Sequence, residues 1–263
     1  MNMRLTNMIG KSRSVAQLYS NWPTALLDRS RLIPRRPLLY NLRNGIRFHV
    51  QGRSFDVQVI NEIWIDKIYT PSPQFSIRDG WIVADIGGQK GIFAVLAATS
   101  ARGVKVFTFE PAPDSLATLR RNVALNGLSN VTIFGVAVSS KDGEAQLHLA
   151  ADSGCNSLIQ RSDVSIRDDV KVETWSMERV LKTIPHPVNL LKMDIEGMEY
   201  ETLLSCPAAY LQHVERIALE YHDSSIQTGS HTSELVSFLD SNGFSMRLWP
   251  DRRILFAGRI GCV

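Results

Sequence analysis

From Trp81 onward, short apolar runs alternate with amphipathic stretches, and this alternation restricts the fold more than any other feature of the chain. Ile82-Val83-Ala84, Val104 to Phe109, Val131 to Val138, Val188 to Met193 and Arg216 to Glu220 read as strands. Between them, Ile92 to Ala98 reads as a helix closed by Arg102-Gly103. Asp114 to Val123 reads as another, with Leu116, Leu119 and Val123 on one side and Asn126-Gly127 as its stop. A helix at 232–242 turns Leu235, Phe238 and Leu239 inward and ends at Gly243. Phe244 to Ala257 reads as a closing antiparallel pair through the Pro250-Asp251 turn. Strands that are apolar on both faces need helices on both faces, so an α/β fold with a mostly parallel sheet is expected.

Upstream the pattern differs. Residues 12–30 read as one helix with Val15, Leu18, Trp22 and Leu26 on one side, ended by Pro34 and Pro37. Leu38 to Tyr40 and Ile46 to Val50 flank Arg43-Asn44-Gly45, a hairpin signal. Asn61 to Trp64 reads as a short helix, followed by a loop through Tyr69-Thr70-Pro71. The expected organisation is a basic helical arm (1–37), a hairpin and helix (38–78) and a core (79–263). The core carries an insert at about 139–187, longer than an ordinary connection. Ala145, Leu147 and Leu149, then Val170, Val172 and Thr174, alternate on either side of a polar middle, Ser153 to Arg167. That predicts a small antiparallel insert over the site.

The 263-residue chain carries +3 overall, but residues 1–55 hold Arg4, Lys11, Arg13, Arg29, Arg31, Arg35, Arg36, Arg43, Arg47 and Arg53 against Asp28 alone. Residues 1–55 are therefore +9 and the remainder −6. Such a basic stretch suits a solvated face, an oligomer contact or a peripheral contact with an anionic surface. It lacks the interleaved aromatics that would favour nucleic acid. No apolar run approaches the roughly 18 residues of a membrane span, and the amino terminus lacks the apolar segment of a secretion signal. Cys155, Cys206 and Cys262 are scattered and odd in number, which fits a reducing cytoplasm and argues against a zinc or disulfide framework. The oligomeric state is not legible.

Ligands of open α/β sheets sit beyond the carboxyl ends of the strands. The first such end reads Asp85-Ile86-Gly87-Gly88-Gln89-Lys90-Gly91. A dinucleotide fingerprint wants a glycine where Gln89 stands, and Asp85 would repel a pyrophosphate. An acid before the glycines suits a phosphate-free cofactor with a positive centre, a description that S-adenosylmethionine fits. The second strand ends in Glu110, where an acid typically accepts hydrogen bonds from ribose hydroxyls. The bland alternative is that Asp85 caps a helix and Glu110 is a surface acid.

Several motifs together resemble a known family. They are D-I-G-x-x-x-G at Asp85 to Gly91, F-E-P at Phe109-Glu110-Pro111, Leu125-Asn126, and L-K-x-D-I-E-G-x-E at Leu191 to Glu199. With Asn61 to Trp64 and Tyr69 to Pro71, they are similar to the FkbM-type methyltransferases over about residues 38–258. The resemblance implies a Rossmann-like class I methyltransferase fold: a seven-stranded sheet with one terminal antiparallel strand and helices on both faces. It also implies S-adenosylmethionine-dependent O-methylation, often of sugar or natural-product hydroxyls. Carried over by position, Asp85, Gly87, Gly91, Glu110 and Pro111 would hold the cofactor, with Ala137 and Val138 near the adenine. One departure is Gly88-Gln89-Lys90, where the family commonly has Ala-Asn after the first glycine.

Asp194 would emerge beyond the fourth strand, beside the cofactor loop. Methyl transfer needs alignment and a group that takes the acceptor's proton. Asp194 is the leading candidate for that base and Glu196 the second, with helix capping the rival role for Asp194. Glu199 would support a helix start near Glu196. His222 could be the base, or join Asp194 and Glu196 around a metal, although no metal site is expected. Asn156-Ser157 would lie near the pocket, and Ser224 to Ser230 would form a rim. The expected acceptor is a glycan or other small molecule. The alternatives are a lapsed cofactor-binding scaffold, kept alive by Gln89-Lys90, and an N-methyltransferase, which lacks its N/D-P-P-Y/F motif at Asp194. A nicotinamide oxidoreductase is opposed by Gln89 and by Asp85.

Overall fold

The structure, a computed structural model, describes residues 14–151, 153–160, 164–222 and 231–259. The rim Ser224 to Ser230, the arm residues Arg4, Lys11 and Arg13, and Cys262 lie outside the described residues.

Residues 14–18 are helical (α1), and α2 spans Trp22–Arg29. The single helix expected over 12–30 is thus broken. Tyr19 leaves the helical path to bridge Leu42, Ser20 N donates to Asn41 O at 2.8 Å, and Pro23 opens the second helix. A proline lacks the N–H that a continuing helix needs but suits a first turn.

The hairpin β1 (Pro37–Asn41) and β2 (Arg47–Gln51) forms as expected, with Tyr40 opposite Phe48. Its outer edge is satisfied by side chains rather than by another strand. His49 N donates to Asn122 Oδ1 at 2.7 Å and Arg47 N to Asn126 Oδ1 at 2.8 Å. Helix α3 (Asp56–Trp64) follows.

The main sheet contains β3 (Ile82–Ile86), β4 (Lys105–Phe109), β5 (Val131–Phe134), β9 (Leu190–Met193), β10 (Arg216–Glu220), β11 (Phe244–Trp249) and β12 (Ile254–Arg259). Its order is β11-β12-β10-β9-β3-β4-β5, parallel throughout except β12, which runs against both neighbours. Adjacent residues of one strand enter opposite cores. Val83 and Leu190 join the cluster built on α4 (Ile92–Ser100) and α5 (Pro113–Leu125). Ala84 and Leu191 join the one built on α6 (Met177–Thr183), α7 (Glu199–Leu204) and α9 (His231–Ser241). Period-two alternation between two buried faces is why β9 is apolar at consecutive positions. The short helix α8 (Ala208–Leu211) precedes β10.

The run Val131 to Val138 is two strands, not one. Beyond β5 the chain turns at Gly135, where a Cβ would stand 2.8 Å from Leu116 Cδ2. It then joins a second sheet as β6 (Ala137–Ser139). That sheet has the order β6-β8-β7, with β7 (Gly143–Ala150) antiparallel and β6 parallel to β8 (Ile166–Ser176). No helix among the described residues is long and apolar enough to cross a membrane.

Candidate active site

The carboxyl tips of β3, β4, β9 and β10 converge. After β3, the amides of Gly87 and Gly88 donate to Phe109 O at 3.0 and 2.9 Å, tying the glycine turn to β4. Asp194 N donates to Ile86 O at 3.1 Å, bringing the tip of β9 against the same turn. The approach is so close that a Cβ on Gly87 would lie 1.9 Å from Asp194 O. Gly91 is the left-handed start of α4, packed on Leu119.

Two clefts meet here. One is walled by Gly87, Gln89, Glu110, Pro111, Ala137, Val138, Asn156 and Ser157, together with Asp194 and Glu196. The other is walled by Phe55, Val59, Ile63, Ile68, Tyr69, Phe93 and Glu220, with Asp194 and Glu196 again. Asp194 therefore stands on the boundary. The insert roofs the first cleft, and Ser157 Oγ donates to Glu196 O at 2.7 Å.

Glu110 is 5% exposed. Its oxygens accept from Gln89 N at 2.8 Å and Ala112 N at 2.9 Å. Burial pushes its carboxyl up to about 7, against the pull of those two amides. Gln89 adopts φ 46°, which aims its amide at Glu110. Lys90 turns away to Asp56 at 2.5 Å, so its charge is neutralised outside both clefts. The departure from the usual family pattern thus adds no free cation at the glycine turn.

Asp85 lies at the end of β3, as expected, but does not reach either cleft. It is fully buried. Thr108 Oγ1 donates to Oδ2 at 3.0 Å, and Lys192 Nζ lies 3.3 Å from Oδ1. A lysine inside a central strand must find an acid. Burial opposes its charge, but Asp85 and Asp194 outweigh that and raise its pKa. Lys192 also donates to Gly87 O at 2.7 Å, so Asp85 acts on the glycine turn through Lys192.

Asp194 caps no helix. Helix α7 starts at Glu199, after Met198, without a side-chain cap. Asp194 Oδ2 accepts from the Tyr69 hydroxyl at 3.1 Å, while Oδ1 is buried without a partner. Glu199 folds back instead, accepting from Ile195 N at 2.9 Å and Gly197 N at 3.0 Å.

His222 as a base is corrected by its surroundings. Its Nδ1 lies 3.0 Å from Glu199 Oε1 and its Nε2 3.7 Å from Glu196 Oε2. Burial disfavours its charge, but the Glu199 hydrogen bond and the charges of Glu199, Glu196 and Asp194 outweigh it. The pKa rises to about 10. A side chain held as a cation at neutral pH cannot accept a proton. Ligand atoms of Asp194, Glu199 and His222 do lie within 4.8 Å of one another. Within this group His222 Nδ1 and Glu199 Oε1 are in ion-pair contact at 3.0 Å.

Tyr69, Lys192 and Glu220 were not singled out from sequence. Lys192 had a readable signal, a charge within an apolar strand. Tyr69 lay in the Tyr69-Thr70-Pro71 stretch of the resemblance and Glu220 at a strand tip, but their pairing was not readable, because the Tyr69 hydroxyl meets Glu220 at 2.7 Å across 151 positions.

The description "Methyltransferase FkbM domain" matches residues 85–246, more than half of the chain. "Methyltransferase 1" of Beauveria bassiana is 24% identical, over 70% of this chain and 79% of its own. "31-O-demethyl-FK506 methyltransferase FkbM" of Streptomyces tacrolimicus is 27% identical, over 75% and 84%. A solved structure of a Streptococcus mutans putative methyltransferase in complex with SAH is 13% identical, over 70% and 92%, with a TM-score of 0.46. Strand order, glycine turn and family match agree: the chain belongs to the FkbM methyltransferases, enzymes whose methyl donor is S-adenosylmethionine.

Proposed function

We propose that this methyltransferase acts on a hydroxyl of a glycan or other small molecule, with Asp194 as the base. The observation that carries the reading is the unpartnered, buried Oδ1 of Asp194 on the boundary between two clefts. A buried carboxylate oxygen left without a donor is costly, and an incoming O–H removes that cost.

The first cleft suits the nucleoside. Glu110 offers its remaining lone pairs to ribose hydroxyls, and the apolar Ala137-Val138 edge suits an adenine. Gly87 lets the tip of β9 lie against the glycine turn, since a Cβ there would stand 1.9 Å from Asp194 O. Bound there, S-adenosylmethionine supplies an electrophilic methyl group. In this reading the chain's own work is alignment and proton removal. An alcohol is a weak nucleophile until a placed base takes its proton, worth about 10² to 10⁴ in rate. The insert is tied to this edge through Ser157 Oγ, which donates to Glu196 O at 2.7 Å. The second cleft, with Phe55, Val59, Ile63, Ile68 and Phe93 beside acidic groups, is the acceptor's side. Support for oxygen as the target comes from the Streptomyces relative, whose name specifies a 31-O-demethyl compound.

The test is transfer of labelled methyl from S-adenosylmethionine to a panel of hydroxyl-bearing glycans and small molecules. A methyl ether product is expected, lost in Asp194→Asn while cofactor affinity stays within about twofold. Label found only on nitrogen, or undiminished turnover in Asp194→Asn, would overturn the reading.

A further inference from the structure

The Tyr69 hydroxyl faces two carboxylates, Glu220 Oε2 at 2.7 Å and Asp194 Oδ2 at 3.1 Å. A phenol has one hydrogen to donate. Two short contacts from one O–H to two ionised carboxylates leave one contact without a proton, and like charges then meet in a buried place. The conflict disappears when one carboxyl carries its own proton and donates to the phenol oxygen. Tyr69 is 4% exposed, so water does not offer a cheaper solution.

We propose that Asp194, Tyr69 and Glu220 form a proton relay, in which the acceptor's proton passes from Asp194 through Tyr69 to Glu220. This rests on the reading of Asp194 as the base. The acceptor's O–H bond breaks as its proton bonds to the Asp194 carboxylate, and the electron pair left on oxygen makes the bond to the methyl carbon. Glu220, which holds the shared proton at rest, releases it to the cleft, and the Asp194 O–H bond breaks as the Tyr69 oxygen takes the acceptor's proton. In the same step the phenol's original proton moves to Glu220. Tyr69 ends as a phenol, Asp194 as a carboxylate and Glu220 as a neutral acid, with nothing oxidised or reduced. Glu220 lines the acceptor cleft and can release the proton there.

The protonation tendencies agree. Burial pushes Tyr69 well above 10, Asp194 and Glu220 add to that, and a free phenolate is therefore avoided. Burial, then the charge of Asp194, pushes Glu220 up to about 7, opposed by Tyr69, His222 and Lys192. A group near 7 can take and release a proton under neutral conditions.

The test uses the free protein with ¹³C-carboxyl-labelled glutamate, following Glu220 by NMR across pH. Its resonance is assigned by its loss in Glu220→Gln. A midpoint near neutral is expected in the wild type. It should fall by about one pH unit in Asp194→Asn, where the neighbouring charge is gone, and rise in Tyr69→Phe, where the donor is gone. Movement in either variant supports the shared proton. Either one suffices if the other fails to fold. A Glu220 midpoint in the ordinary carboxylate range, or one unmoved in every folded variant, overturns the relay. Undiminished methyl transfer by Asp194→Asn would instead remove the base reading, so the two failures are told apart.

Discussion

Lys192 and Asp85 form an ion pair almost sealed from solvent, Nζ to Oδ1 at 3.3 Å, with side chains 4% and 0% exposed. The pair joins two neighbouring central strands, and Lys192 carries it on to the glycine turn through Gly87 O. A buried acid is tolerable only while its cation stays.

Lys192→Met should therefore cost about 3–5 kcal/mol of unfolding free energy, measured in urea. Adding Asp85→Asn should recover part of the loss, because the uncompensated charge goes with it. A single-variant loss below about 1 kcal/mol, the scale of an exposed pair, would contradict a buried role.

Gly87→Ala tests the close approach of two strand tips. The turn has φ 81°, and a Cβ would stand 1.9 Å from Asp194 O. Left-handed backbone alone costs a non-glycine residue about 1–2 kcal/mol. The clash adds displacement of Asp194. Thermal unfolding should shift down and S-adenosylmethionine affinity should fall at least about tenfold, the effect of 1.4 kcal/mol. Unchanged calorimetric affinity would show that the turn tolerates a side chain.

His222 gives a pH signature. Its pKa is about 10 when folded and 6.5 ordinarily, so between those values the folded state holds more protons than the unfolded one. Its stabilisation is complete below pH 6.5 and is lost as pH rises toward 10, by at most about 1.4 kcal/mol per pH unit. Urea unfolding at pH 7 and pH 9 should show a loss in the wild type that His222→Gln lacks. Equal losses in both would mean that Glu199 and Glu196 do not hold the imidazolium.

The central sheet was legible because each of its buried strands is a mostly apolar run. The same feature misled at Val131 to Val138, since two buried strands in different sheets also read as one run, and periodicity does not register a change of sheet at Gly135. The helix over 12–30 failed at Pro23, where a breaker sits inside an otherwise regular apolar stripe. Glu110, Pro111, Ala137, Val138 and Asp194 were expected along one edge of the sheet, where strand tips gather, and they wall one cleft. Asp85 was located correctly at the end of β3 but aimed wrongly, because its partner Lys192 is 107 positions away. His222 was misread for the same reason: chemical type is visible in sequence, whereas the Glu199 oxygen 3.0 Å from its ring is not.

Glu110 also predicts how cofactor affinity varies with pH. Burial pushes its carboxyl up to about 7, and the ionised form accepts hydroxyl hydrogen bonds more strongly than the neutral acid, one of whose oxygens becomes a donor. Affinity should be steady above pH 8 and fall below 7. Glu110→Gln should abolish that dependence.

The most direct measurement is calorimetric titration of S-adenosylmethionine into the wild type and Glu110→Ala at pH 8. The wild type should bind, and the variant at least about tenfold more weakly, as for the loss of a hydrogen bond to a charged group. Equal affinity in the two proteins would contradict the placement of the nucleoside between Glu110 and Ala137-Val138, and with it the position of Asp194 beside the transferred methyl.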